Sequence, residues 1–394
     1  MILADIPVVL AYRALPFCVY AIFARKISWQ QRISIWGMFL CALGVGSLAS
    51  RDLSEVLVRG PVALAYFAVL SLGVHRLAAK GDIRPAAKLV LFVGCAVAYV
   101  LVPAIVYPSP RALPTIGIGF EAALSAYSYG VDAQRRPSPP TRGDCLFFIL
   151  VNPCLVYPER GRMFEDGSGS VRGAARVVLG AATWIAQLFV TATLATSPSI
   201  TNLYGRFWLL TGGAAIALYF AHSGLASIQI GLMRMAGHVV GERYNKPFLA
   251  RNPLDFWKRW NRYLGSWIKR YVFVPSAFRI HRALPRLPAR ATAALAVILT
   301  FAVVGALHEY VLWSWQLVTT GAAAPALRVT FAFLGFGVIL LVWRGAADLL
   351  SHALGVQPSQ AAFTRRSRVF LSQVAFLHVA LAMMWMLQQA RFIP

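Results

Sequence analysis

Long apolar runs separated by short basic loops dominate this chain. A membrane-spanning helix needs about 20 mostly apolar residues. Ten stretches approach that length: 6–24, 33–50, 56–74, 86–107, 112–131, 174–196, 206–232, 290–316, 328–350 and 369–388. Arg13 interrupts the first and Glu121 the fifth. A shorter apolar segment, 144–157 (DCLFFILVNPCLVY), is broken by Asn152 and Pro153.

The loops sort by charge. Arg25, Lys26 and Arg32 mark one; Arg76, Lys80, Arg84 and Lys88 the next; Arg135, Arg136 and Arg142 a third. Arg160, Arg162, Arg172 and Arg176 follow, then the stretch 234–290 and the cluster Arg365, Arg366 and Arg368. Loops 196–205 and 317–327 carry no charge. Lys and Arg are retained in the cytoplasm during insertion, so the basic set is expected there. Both flanks of 144–157 are basic. That segment is therefore expected to enter and leave on one side as a re-entrant hairpin, which membranes tolerate where protein surrounds it. Both termini then fall outside. The opening MILADIPVVL lacks a basic flank and a small-residue cleavage site, and reads as a retained first span.

Composition agrees with this pattern. The 394 residues are 58% hydrophobic and 13% charged, with a mean hydropathy of +0.63. These values describe a polytopic membrane protein. The net charge of +24 would suit nucleic acid only on a water-soluble basic domain, and none is visible. The five cysteines form no CxxC or metal-ligand spacing, so they read as buried free thiols and no metal is expected. Repeats, heptads, a P-loop, a nucleophile elbow and a dinucleotide fingerprint are missing. The expected fold is one all-α membrane domain of about ten spans, plus the hairpin and one interfacial helix.

That interfacial helix is 252–275, NPLDFWKRWNRYLGSWIKRYVFVP. At about 100° per residue, Trp257, Trp260, Leu264, Trp267, Ile268 and Tyr271 share one sector. Lys258, Arg259, Arg262, Lys269 and Arg270 share the other, suited to lipid headgroups or to phosphates. Asn261 lands among the aromatics. A lone amide there is costly unless partnered, which marks it as a candidate for chemistry.

His308 lies inside the span 290–316, sharing a helical face with Phe301, Val304, Gly305, Leu312 and Trp315. An ionisable group at such depth is a candidate functional residue. Glu309 points about 100° away and is expected to meet a basic group or a wet cavity. Leu312 stands where the zinc motif HExxH needs its second histidine, so that motif is absent. Glu121 is the other deep acid with a claim to a cavity. His222 and His378 read as structural, while His75, His238, His281 and His352 lie at loop edges and read as surface residues.

Four segments in order resemble the membrane-bound O-acyltransferase family. PTIGIGFEAALSAYSYGVDAQRR (114–136) is similar to its Tyr-x-x-Asp-x-x-Arg segment, with Gly119 where serine is usual. FFILVNPCLVYPERGRMFED (147–166) is similar to its re-entrant stretch. The 222–275 segment, ending in NPLDFWKRWNRYLGSWIKRYVFVP, and GALHEYVLW (305–313) are the specific pair. The resemblance covers roughly 114–316. It implies a helical bundle around a channel, with His308 as the catalytic histidine and Asn261 at the family's second polar position.

Such enzymes move an acyl group, acetyl among the candidates, from a thioester such as acyl-CoA to a hydroxyl. The acceptor would be a glycan, a lipid or a metabolite. No cofactor is expected beyond acyl-CoA as co-substrate. On this reading Trp257, Trp260, Arg259, Arg262, Glu121 and Glu309 line the substrate sites. Membrane lipids and a separate acceptor-side protein are the further partners, and the location is the bacterial inner membrane. The rival reading is a transporter or flippase for an anionic lipid or glycan, which intramembrane His and Glu would also serve; it predicts related halves, which are not seen.

Overall fold

Helices satisfy their own backbone hydrogen bonds, which is what a hydrocarbon environment demands. In the computed structural model of the chain, 87% of the structure is helical and the described residues contain no strand. The structure describes residues 15–22, 28–37, 40, 60–79, 85–106, 113–135, 140–157, 170–196, 212–238, 240–250, 252–321 and 327–353. The expected span 369–388, most of 6–24 and 33–50, and part of 206–232 lie outside them. Five described helices are long and apolar enough to cross a membrane: Pro61–Ala78, Val171–Thr191, Ala215–Met235, Ala289–Thr320 and Arg328–Ala346.

The chain divides into two compact units that alternate along the sequence. The first holds Met1–Leu188, Phe220–Glu242 and Trp313–Ala323; the second holds Phe189–Tyr219, Arg243–Leu312 and Ala324–Pro394.

In the first unit, α1 (Gly60–Ala78) and α2 (Pro85–Ala96, continued by a π turn at Val97–Leu101) flank α3 (Leu113–Asp132). The middle of α3 is buried on nearly every side: Ala122, Ala123, Leu124, Ser125, Ala126, Ser128 and Tyr129 are all in the core. A helix apolar all round belongs there. A Cβ on Gly119 would fall on the carbonyl of Tyr99. Any side chain at this position is therefore sterically excluded.

Residues 140–157 form a broken helix, exposed at 141–143 and packed in protein from Cys145 onward. Thr141 and Asp144 make a reciprocal capping box at the start of α4 (Arg142–Leu146). A π turn, Phe147–Val151, ends at Asn152, whose Oδ1 accepts from the Cys154 amide at 2.9 Å. Phe148, Ile149, Pro153 and Leu155 are buried. The Tyr157 amide donates to Ser128 Oγ at 2.6 Å, tying the far end to α3.

The helices α5 (Ser170–Thr196) and α6 (Gly213–Met235) pack backbone to backbone. Gly173 faces Gly231 and Gly180 faces Gly224, and a Cβ on any of the four would meet a backbone atom of the other helix at 2.8 Å or less. Small residues are the usual means of close approach between membrane helices. Glu242, just past α6, takes Arg176 of α5 on one oxygen and Arg234 of α6 on the other, at 3.3 Å for Arg234.

His238 corrects an expectation. It is buried, 4% exposed, with Nε2 3.1 Å from the Tyr20 hydroxyl and its ring 4.9 Å from that of Phe147. Burial pushes its pKa down from 6.5 to about 4. Its neighbours in sequence, Met233, Met235 and Ala236, are also buried, so the loop edge is roofed by protein. His75 is half-buried and lies 2.7 Å from the Tyr129 hydroxyl. Cys18, Cys95 and Cys145 are buried free thiols, as expected.

Candidate functional site

The second unit carries every proposed site residue except Glu121, which lies half-buried on α3 of the first. Its elements are the loop 243–250, α7 (Pro253–Arg259), α8 (Arg262–Ile268), α9 (Val274–Ala283), α10 (Ala289–Thr320) and α11 (Arg328–Ala353). Only residues up to Leu312 of α10 belong to this unit.

Residues 252–275 are not one continuous helix. Asn252 caps α7 by accepting from the Asp255 amide at 2.8 Å, and the helix stops at Trp260. Asn261 then adopts a left-handed backbone, φ 34° and ψ 63°, and caps α8. Asn is among the few residues that tolerate that conformation. The amide that looked misplaced on a continuous helix is the residue that breaks it. Its Oδ1 accepts from the Leu264 amide at 3.4 Å and from Arg243 Nε at 3.0 Å.

The break is held from outside. The Asn245 amide donates to the Arg259 carbonyl at 3.0 Å, and the Arg262 amide to the Arg243 carbonyl at 2.7 Å. The loop 243–245 thus clasps both sides of the corner. Arg259 spends its Nε on Asp255 one turn back, at 2.9 Å, while the Arg262 side chain is exposed.

The aromatic sector faces protein. Trp260 stacks on Phe256 with centroids 5.4 Å apart, and meets Tyr244 edge-on at 5.4 Å. Trp257 packs on Phe301 of α10 at 5.3 Å and on Phe336 and Phe333 of α11 at 6.0 and 6.3 Å. Trp267 is fully buried.

On α10, His308 stacks against Phe333 with centroids 4.6 Å apart. Its Nδ1 lies 2.7 Å from the Val304 carbonyl. A carbonyl can only accept, so Nδ1 carries the proton and a neutral ring presents its lone pair at Nε2. Gly305, one turn below, makes this possible: a Cβ there would meet Thr330 Cα at 2.6 Å and Phe333 Cβ at 3.1 Å. Phe333 thus touches both His308 and Trp257. Asn261 follows α7, which carries Trp257, at the corner; its own side-chain contacts are with Arg243 and the Leu264 amide.

Two polar atoms beside this cluster, Trp257 Nε1 and Thr330 Oγ1, are buried and have no hydrogen-bond partner among the described residues. Such atoms are costly to bury and call for a polar group.

Glu309 meets backbone, where a basic group or a wet cavity was expected. Its Oε2 accepts from the Val329 and Thr330 amides at 2.8 and 3.2 Å, capping the start of α11. The negative charge suits that helix end. Sequence reasoning missed Arg243, Thr330 and Phe333. The turn-rich stretch around Pro247 and Pro253 was the available hint that 243–245 doubles back.

Fold and site together define a helical membrane protein whose second unit holds the His308 imidazole among aromatic rings, with Nδ1 against a backbone carbonyl. No family model matches the chain. It is related to acyltransferases of the membrane-bound O-acyltransferase type. It is 27% identical to "Probable alginate O-acetylase AlgI" of Pseudomonas syringae, over 40% of this chain and 33% of that protein. It is 34% identical to the teichoic acid D-alanyltransferase of Bacillus subtilis, over 21% of each. The peptidoglycan O-acetyltransferase of Helicobacter pylori is 23% identical, over 32% of this chain and 26% of its own. The match thus spans about a third or less of the length of these relatives.

Proposed function

We propose that this protein is a membrane-embedded O-acyltransferase that moves an acyl group, such as acetyl, from a thioester donor of the acyl-CoA type to a hydroxyl. The relatives are named for alginate, teichoic acid and peptidoglycan, which favours a glycan or cell-envelope acceptor and a bacterial inner-membrane location. Their names give the transport reading no support.

The observation that carries the proposal is the state of His308. With Nδ1–H bonded to the Val304 carbonyl, Nε2 is the atom that takes the acceptor's hydroxyl proton. The oxygen then attacks the thioester carbonyl, the tetrahedral intermediate collapses, and the thiolate leaves and takes up a proton. Positioned general bases of this kind contribute roughly 10²–10⁴-fold. Asn261 supports the same step. Its amide oxygen is committed to Arg243 and Leu264, so its NH₂ is the end with donors for the acceptor oxygen or the developing oxyanion. Trp257 Nε1 and Thr330 Oγ1 are further polar atoms the substrates could satisfy.

The test uses the full chain purified into lipid, given labelled acetyl-CoA and longer acyl-CoAs with glycan, glycolipid and lipid-alcohol acceptors. Acceptor-dependent transfer is expected, and His308→Ala should abolish it without loss of membrane insertion. Full activity in that variant overturns the assignment.

A further inference from the structure

A carboxamide at a helix corner can turn either end toward a substrate. In this chain the choice is made by a residue that the sequence pattern did not mark. Arg243 Nε donates to Asn261 Oδ1 at 3.0 Å, and the Arg243 guanidinium lies 5.9 Å from the centroid of the Tyr263 ring beneath it. The Arg243 backbone is fixed as well, because its carbonyl takes the Arg262 amide at 2.7 Å. The arginine is therefore held at its main chain on the far side of Asn261, and its side chain returns to the amide oxygen. We propose that Arg243 is a positioning residue for acyl transfer: it holds the amide of Asn261 oxygen-first, so that the NH₂ end is presented to the reacting oxygen. This rests on the acyltransferase reading above.

The chemistry favours that arrangement over its reverse. An amide oxygen bonded to a cation makes a charge-assisted hydrogen bond, stronger than a neutral one. It also draws electron density from the amide, so the NH₂ hydrogens become better donors to a developing negative charge. Flipping the amide would set the NH₂ against the guanidinium and lose the cap on Leu264. Arg243 touches neither reacting atom in this scheme. A phosphate contact with the donor is the competing role for an arginine on this side.

Steady-state kinetics on folded full-length protein separate the two. Arg243→Ala should lower kcat roughly 10- to 100-fold, the scale of a slightly misplaced group, with KM for acyl-CoA unchanged. Arg243→Lys, which keeps charge and a donor, should recover part of the loss. Asn261→Asp keeps the capping oxygen and the Arg243 partner but removes the NH₂; it should fold normally and lose kcat. In that background Arg243→Ala should cost nothing further. Wild-type kcat in Arg243→Ala, a raised acyl-CoA KM at unchanged kcat, or full activity in Asn261→Asp each overturns the proposal. If the wild-type protein transfers no acyl group to any acceptor, the acyltransferase reading fails, and this role for Arg243 fails with it. A thermal-unfolding double-mutant cycle of Arg243→Ala and Asn261→Ala then reports whether the pairing is present in its own right; no coupling there overturns the pairing too.

Discussion

Gly180 of α5 and Gly224 of α6 face each other so closely that a Cβ on either would lie 2.7 Å from the other's carbonyl oxygen. Backbone cannot yield as a side-chain tip can. Overpacking of this kind costs about 1–3 kcal/mol. Gly180→Ala should lower the thermal midpoint in detergent, and Gly180→Leu should lower it further. Gly117→Ala, where a Cβ meets nothing within 4 Å, is the matched control and should leave the midpoint unchanged or higher.

Gly119 stands where the resembling family has serine. A Cβ there would clash with the Tyr99 carbonyl, at the π turn that follows α2. Gly119→Ser should therefore reduce the yield of folded protein. A midpoint equal to wild type would mean that α2 and α3 can separate at no cost.

Glu309 caps α11 through two backbone amides. Caps of this type are worth about 0.5–2 kcal/mol. Glu309→Ala should destabilise the protein and speed amide exchange at Val329 and Thr330. Glu309→Gln keeps an acceptor oxygen and should lose less. An unchanged acyl-CoA KM in Glu309→Gln would separate this capping role from donor binding.

His238 makes stability depend on pH. Its pKa falls from 6.5 to about 4 on burial. Between those values the unfolded chain binds the proton and the folded one does not, so stability rises with pH there. Its contribution is complete above 6.5 and is lost as pH falls toward 4. His238→Gln, which retains a hydrogen-bonding side chain for the Tyr20 hydroxyl, should flatten the midpoint-against-pH curve across that window. An unchanged slope would place the acid sensitivity elsewhere.

Hydrophobic runs revealed the helices because burial and backbone satisfaction in lipid leave few alternatives. Thus 56–74, 174–196, 290–316 and 328–350 all appear as long helices, with ends shifted by a few residues. The Asn-Pro break at 152–153 was equally visible. The corner at Asn261 was not, because periodicity treats 252–275 as one helix and cannot register a left-handed residue. His238 was misplaced for a related reason. Its burial depends on Tyr20 and Phe147, both distant in sequence. Arg243 lay hidden because its contacts with Asn261, Arg262 and Tyr263 are tertiary. His308 was legible as an ionisable group deep in a span; its tautomer and the Phe333 stack needed coordinates.

His308 and Glu309 are adjacent on α10, and each grips α11 differently. One stacks on Phe333 and the other holds the amides of Val329 and Thr330. A rotation of α10 that swung the imidazole would also uncap its neighbour. The two helices are therefore coupled at this pair, and on the proposed mechanism the imidazole is a fixed post to which the substrates come.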